Sequence, residues 1–100
     1  MNTPQKGTVR CIVFKDTDAW YGVALEFNIV ESADDPDVVM FNLHNAIRGY
    51  VESQGKIKGS RFYPLNQKPD EEYERLWKNL HARKPIPSPY SVRYYGVTKI

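Results

Sequence analysis

The sequence predicts an α+β domain, and three observations carry that prediction. Thr8 to Phe27 alternates with a period of two, as strands do. Val39 to Tyr50 and Tyr73 to Leu80 repeat apolar residues at helical spacing. The tail from Tyr90 is dense in aromatic and β-branched residues, which suit a last strand.

The first strand is TVRCIVFK. Val9, Cys11 and Val13 point one way and Arg10, Ile12 and Phe14 the other, so both faces are largely apolar and the strand is expected at the centre of its sheet. Asp16-Thr17-Asp18 supplies turn chemistry, because aspartate side chains bond the local backbone. WYGVALEF returns as a second strand with Tyr21, Val23, Leu25 and Phe27 on one face. A third strand, about Ile29 to Ala33, follows a tight reversal near Asn28, which gives an antiparallel meander.

Asp35 is placed to cap the first helix, Pro36 suits its first position, and Asp37 suits the positive end of the dipole. Val39, Leu43, Ala46, Ile47 and Tyr50 form its apolar stripe, and Gly55 is expected to end it near Ser53. A basic connection without a clear period leads to a second helix, about Asp70 to Ala82. There Tyr73, Leu76, Trp77 and Leu80 fall at i, i+3, i+4 and i+7. Pro85, Pro87 and Pro89 force an extended linker before the last strand. The expected layout is one domain: a polar arm (1–6), meander plus helix (7–55), an insertion with the second helix and the proline-rich linker (56–89), and the last strand (90–100).

Composition narrows the class. An apolar share of 41% with 13% aromatic residues belongs to a globular chain rather than a disordered one. No apolar run reaches membrane-span length, and MNTPQKGTVR lacks the apolar segment of a signal peptide. Cys11, the single cysteine, cannot form an internal disulfide, which agrees with a reducing compartment, so a cytoplasmic location is expected. Residues 1 to 59 hold six Lys/Arg against eight Asp/Glu, and the remainder holds eight against four. That split is either an uneven solvated surface or a C-terminal portion that meets an anionic partner.

The stretch from Gly22 to Val51 resembles the HicB-like antitoxin family. The matching residues are Trp20, Leu25, Ile29 and Val30, then Asp35 at the cap. In the helix they are Asn42-Leu43, Ala46-Ile47 and Tyr50-Val51. Ile86-Pro87-Ser88-Pro89 is similar to the I-P-x-P that commonly precedes the family's last strand. The likeness covers about two thirds of the chain. It departs from the family at Phe27-Asn28, where many members carry Pro-Gly, and in the inserted second helix. No DNA-binding segment follows the last strand, so DNA-based autoregulation is not expected. The resemblance implies a partial ribonuclease-H-like fold in which the last strand lies parallel to the first, with sheet order 3-2-1-4.

A ribonuclease-H relationship raises metal-dependent hydrolysis, which needs carboxylates on the first and last strands. The run from Thr8 to Lys15 has none, and neither does Tyr90 to Ile100. His44 and His81 lack partners at zinc spacing, and Cys11 lies mid-strand among apolar neighbours. The expectation is no catalytic residue, no metal and no cofactor. Two features remain for binding. The stripe Tyr73, Leu76, Trp77 and Leu80 is either core or a partner-facing anchor. A basic–aromatic set including Arg61, Tyr63, Arg93 and Tyr95 offers groups that stack on unpaired bases, although neighbouring strand residues face opposite ways.

By what the resemblance implies, the protein is an antitoxin that masks a small basic HicA-type ribonuclease by direct binding. Asp34, Asp35 and Asp37 would supply electrostatic attraction. Two other classes stay open: a homo-oligomeric interaction module using a sheet edge or open face, and an RNA-binding accessory domain using the basic C-terminal part.

Overall fold

The computed structural model describes residues 7–58, 70–86 and 90–99. Strands β1 (Thr8–Asp16), β2 (Ala19–Ala24) and β3 (Ile29–Ala33) form the meander. Helices α1 (Pro36–Lys58) and α2 (Glu71–His81) follow, and then β4 (Ser91–Lys99). The sheet order is β3-β2-β1-β4, with β1 inside as its two apolar faces require. The α+β class and this order agree with the sequence reading.

The direction of β4 does not. It pairs antiparallel with β1, from Lys15 opposite Ser91 to Thr8 opposite Lys99, so the parallel last strand of a ribonuclease-H-like topology is corrected. The reason is the end of the sheet at which the chain re-enters: Ser91 lies opposite Lys15, not opposite Thr8. α1 starts where β3 ends and carries the chain about 34 Å at 1.5 Å per residue, back along one face. A strand begun there would run parallel to β1. Instead α2 lies across the strands on the other face, from Val23 and Val30 to Tyr95, which share one cross-strand row. Tyr90 sits against Phe14, so β4 enters the sheet at the Asp16 end of β1 and runs back along it.

Two further boundaries differ from expectation. β2 stops at Ala24, and Leu25–Phe27 winds into a 3-10 turn closed by Asn28 at φ 54. The turn breaks the alternation, so Leu25 stays on the α2 side while Phe27 swings to the α1 side against Tyr50, with ring centroids 4.6 Å apart. α1 also runs past Gly55 to Lys58. A helical glycine costs about 1 kcal/mol, which does not by itself stop a helix.

The sheet separates two cores. On one face Val9, Cys11, Ala24 and Phe27 pack with Leu43 and Ile47 of α1. α1 comes close because β2 offers Gly22 there: a Cβ at that position would lie 2.6 Å from Val39 Cγ1. On the other face Ile12, Phe14, Val23 and Leu25 pack with Leu76 of α2, flanked by Tyr73, Trp77 and Leu80. β4 adds Val92 to this second core through a bulge. Val13 pairs with Tyr94 but Phe14 pairs with Val92, leaving Arg93 as the extra residue. In an unbroken register Arg93 would face Phe14, so the bulge keeps a cation out of the core.

Candidate interaction surface

The helix caps come directly from sequence. Asp35 Oδ1 accepts from the backbone N–H of Asp37 at 2.7 Å and of Val38 at 3.4 Å. Asp70 caps α2 by accepting from the N–H of Glu72 at 2.9 Å. Asp34, Asp35 and Asp37 are all exposed. The meander brings the Asp16–Asp18 turn to the same end of the sheet, because Asp16 pairs with Ala19 and Trp20 with Ala33. That end is therefore acidic.

The α2 stripe is placed inward. Leu76 is buried, and Tyr73, Trp77 and Leu80 pack against Ile12, Phe14, Val23 and Leu25, so the stripe forms core rather than an open partner-facing surface. Trp77 is fixed on several sides. Arg10 lies over its ring at 5.6 Å, Tyr95 meets it edge-on at 5.5 Å and His81 stacks at 6.3 Å.

Arg10 is a functional-looking side chain with a structural position. Its Nε donates to Glu26 at 2.6 Å, and its two terminal nitrogens donate to the two carboxylate oxygens of Glu74 at 2.6 and 2.8 Å. The backbone N–H of Arg10 also donates to Glu26 at 2.6 Å. Hydrogen bonding to Glu74 leads the effects that push the guanidinium pKa above its ordinary value, and the same bonds hold the Glu74 carboxyl below its own. The one sequence signal was a lone arginine on an otherwise apolar strand face.

Among the described residues no group of three or more His, Cys, Asp or Glu is placed to hold a metal ion. Cys11 is buried, and burial pushes its thiol pKa up, away from the reactive thiolate. Its Sγ donates to the Val9 carbonyl at 3.8 Å and lies 3.8 Å from Thr98 Oγ1. No helix among the described residues is long and apolar enough to cross a membrane.

The basic–aromatic set does not assemble into one platform. Arg61 and Tyr63 lie outside the described residues. Arg93 is exposed at the bulge, whereas Tyr95 turns toward α2, with its hydroxyl donating to the Leu80 carbonyl at 3.5 Å. Tyr94, opposite Val13, takes the α1 side.

What remains open is the margin formed by β4. Among the described residues α1 packs chiefly over β2 and β3 and stands off from β4 on that face. The gap is a cleft of about 360 Å³ between His44, Ile47, Arg48, Val51 and Glu52 of α1 and Thr98 and Lys99 of β4. Tyr94 is 38% exposed, Tyr95 41% and Val97 55%, all on a nine-residue strand at the edge of the sheet. Sequence reasoning found the strand but not its openness, which depends on where α1 lies.

No family model, no curated protein and no solved structure matches the chain. The surface itself is therefore the ground for any functional reading.

Proposed function

We propose that this chain is a non-catalytic interaction module that works by binding another polypeptide through the open edge of β4. The carrying observation is the pairing of edge position with composition: among the described residues β4 pairs on one side only, yet Tyr94, Tyr95 and Val97 stand exposed along it. Edge strands are ordinarily short or charged because an open row of N–H and C=O groups recruits other strands. Strand addition turns that row into affinity, and the alternate side chains give specificity. A reducing cytoplasm suits the reading, since Cys11 has no partner cysteine.

The test is site-specific photo-crosslinking in cells producing the chain. A photoreactive residue at position 97 is expected to yield a covalent polypeptide adduct. The same residue at the exposed Arg75 position of α2 is expected to yield none. Absence of any adduct at position 97 would sink this reading.

A second reading has its own observation. Val38 and Phe41, exposed on α1, adjoin Asp34, Asp35 and Asp37 in the chain. An apolar anchor inside an acidic rim suits a basic protein surface. With the HicB-like pattern from Gly22 to Val51, this supports an antitoxin that neutralises a small basic HicA-type ribonuclease by direct binding. The antiparallel β4 removes the topological support for that kinship. Co-expression with such a toxin decides it: growth should be rescued by the native chain and not by Phe41→Asp. Failure of the native chain to rescue defeats the reading.

A further inference from the structure

We infer that the polypeptide bound at β4 is an acidic extended segment of another protein, added to the sheet beside Tyr95, Val97 and Lys99. The inference rests on the β4-binding reading and adds the chemistry of the partner.

Charge carries it. From Arg75 to Ile100 the chain holds six Lys/Arg and no Asp/Glu. The fold gathers four of these cations at one margin. Arg93 and Lys99 belong to β4 itself, with Arg93 exposed as the extra residue of the bulge. α2 ends beside the same strand, because the Leu80 carbonyl accepts both from the Tyr95 hydroxyl and from the N–H of Arg83. The exposed Arg83 and Lys84 therefore lie in the turn that borders β4.

These cations are not neutralised by the chain's own acids. Among the described residues the ion pairs are those of Arg10 with Glu26 and Glu74, and none involves Arg83, Lys84, Arg93 or Lys99. The carboxylates at the start of α2 have duties of their own: Asp70 caps the helix, Glu72 accepts from Tyr90 and Glu74 holds Arg10. Glu52 of α1 borders the cleft at Lys99, but Arg48 stands beside it there and offsets it.

Such an edge discriminates. A strand as basic as β4 would set like charges against one another, which is destabilising, whereas carboxylates are attracted. Tyr95, Val97 and Lys99 alternate along the α2 face. The strand that fits them carries an apolar residue beside Val97 and a carboxylate two positions away, beside Lys99. A second carboxylate, beside Tyr95, faces the turn that holds Arg83 and Lys84. On the α1 face the Tyr94 ring lies along the strand against Gly96, so small side chains suit the partner there. Nucleic acid fits less well. Tyr94 and Tyr95 lie on opposite faces, Tyr95 is already held edge-on against Trp77, and an edge row of N–H and C=O groups is matched by a strand.

Titration of the labelled full chain with three probes tests this, read from the amide shifts of β4. The probes are the peptide T-E-T-V-T-E-T, the same peptide with lysine for glutamate, and oligouridylate. The acidic peptide is expected to shift β4 and to bind about tenfold more tightly than its lysine counterpart. Added salt should narrow that preference. Lys99→Glu should reverse it, and circular dichroism checks that the variant folds. Lys84→Glu, outside the sheet, keeps the test decisive if it does not, and should weaken the acidic peptide alone.

Equal binding of the two peptides, or an acidic peptide indifferent to both variants, overturns the proposal. So does a preference for oligouridylate, or no shift with either peptide at about millimolar concentration. The photo-crosslink from position 97 then separates the two readings. An adduct with a second copy of this chain, or with a segment lacking acids, overturns only the acidic partner. No adduct of any kind overturns the β4 reading too.

Discussion

Arg10 of β1 and Glu74 of α2, 64 positions apart in the chain, meet in a two-pronged ion pair. Glu26 binds the remaining edge of the same guanidinium, and Trp77 covers its face. A planar fork held by two carboxylates fixes angle as well as distance. Apolar packing is non-directional, so this pair, together with the bonds from Tyr90 to Glu72 and from Tyr95 to the Leu80 carbonyl, sets how the helix is rotated on the sheet.

Removing one side of the pair should therefore destabilise more than a surface ion pair would. Arg10→Ala is expected to lower stability by about 2 kcal/mol, since the groups are three-quarters covered rather than fully exposed. Glu74→Ala should cost about 1 kcal/mol. In the Arg10→Ala background the second change should be nearly neutral, which denaturant unfolding of the four proteins would measure. Strictly additive losses would contradict the coupling. The pH dependence has a defined sign: the folded carboxyl of Glu74 is depressed, so its contribution is complete above the ordinary glutamate range. It fades as pH falls through the lower folded value, and the gap between native and Glu74→Ala proteins should narrow there.

At the tip of the first hairpin, Thr17 sits at φ 60. That left-handed region strains a β-branched residue, because its Cβ crowds the following carbonyl. The local return is a 3.2 Å hydrogen bond from Thr17 Oγ1 to Asp16, exposed to water. Thr17→Gly should raise stability by about 0.5–1 kcal/mol, visible as a higher thermal midpoint. A lower midpoint would show that the hydroxyl bond outweighs the backbone strain.

Much of the fold was legible because its signals are local. Asp35 and Asp70 announce their caps, the stripe from Val39 to Tyr50 announces α1, and the two apolar faces of β1 place it inside the sheet. What failed depends on the sum of distant steps. The direction of β4 follows from the end of the sheet at which the chain re-enters, and no residue within Ser91–Lys99 encodes it. The inward swing of Phe27 was hidden for a related reason. Period-two reading carries alternation through Leu25–Phe27, whereas a 3-10 turn with Asn28 at positive φ resets it. The candidate surface was the least legible part. Tyr94 and Val97 look like any strand residues until the positions of α1 on one face and α2 on the other leave them exposed.

Cys11 offers a reporter of opening. It is fully buried between β1 neighbours and Thr98, with its thiol pKa raised by burial. A thiol reagent should therefore react through opened molecules only, roughly 10³-fold or more slowly than with the chain in denaturant. Thr98 lies on β4, so a bound partner that stiffens β4 should slow labelling further. Rapid labelling of the native chain would place β4 in frequent detachment from β1.

Tyr90 supplies the alkaline counterpart. Its hydroxyl donates to Glu72, joining the entry of β4 to the first turn of α2, while its ring meets Phe14 edge-on at 5.3 Å. That hydrogen bond exists only with the neutral phenol, and it leads the causes that push the Tyr90 pKa up to about 12. An ordinary tyrosine titrates near 10, as in the unfolded chain. A raised folded pKa means that the contribution is complete below about pH 10 and is lost as pH rises through about 12. Tyrosinate absorbance of the folded chain should show a late-titrating group that Tyr90→Phe removes and Glu72→Gln moves earlier. The stability gap between native and Tyr90→Phe proteins should be constant at neutral pH and close over the same alkaline range. A gap that persists at the top of that range would mean that Tyr90 acts through ring packing alone.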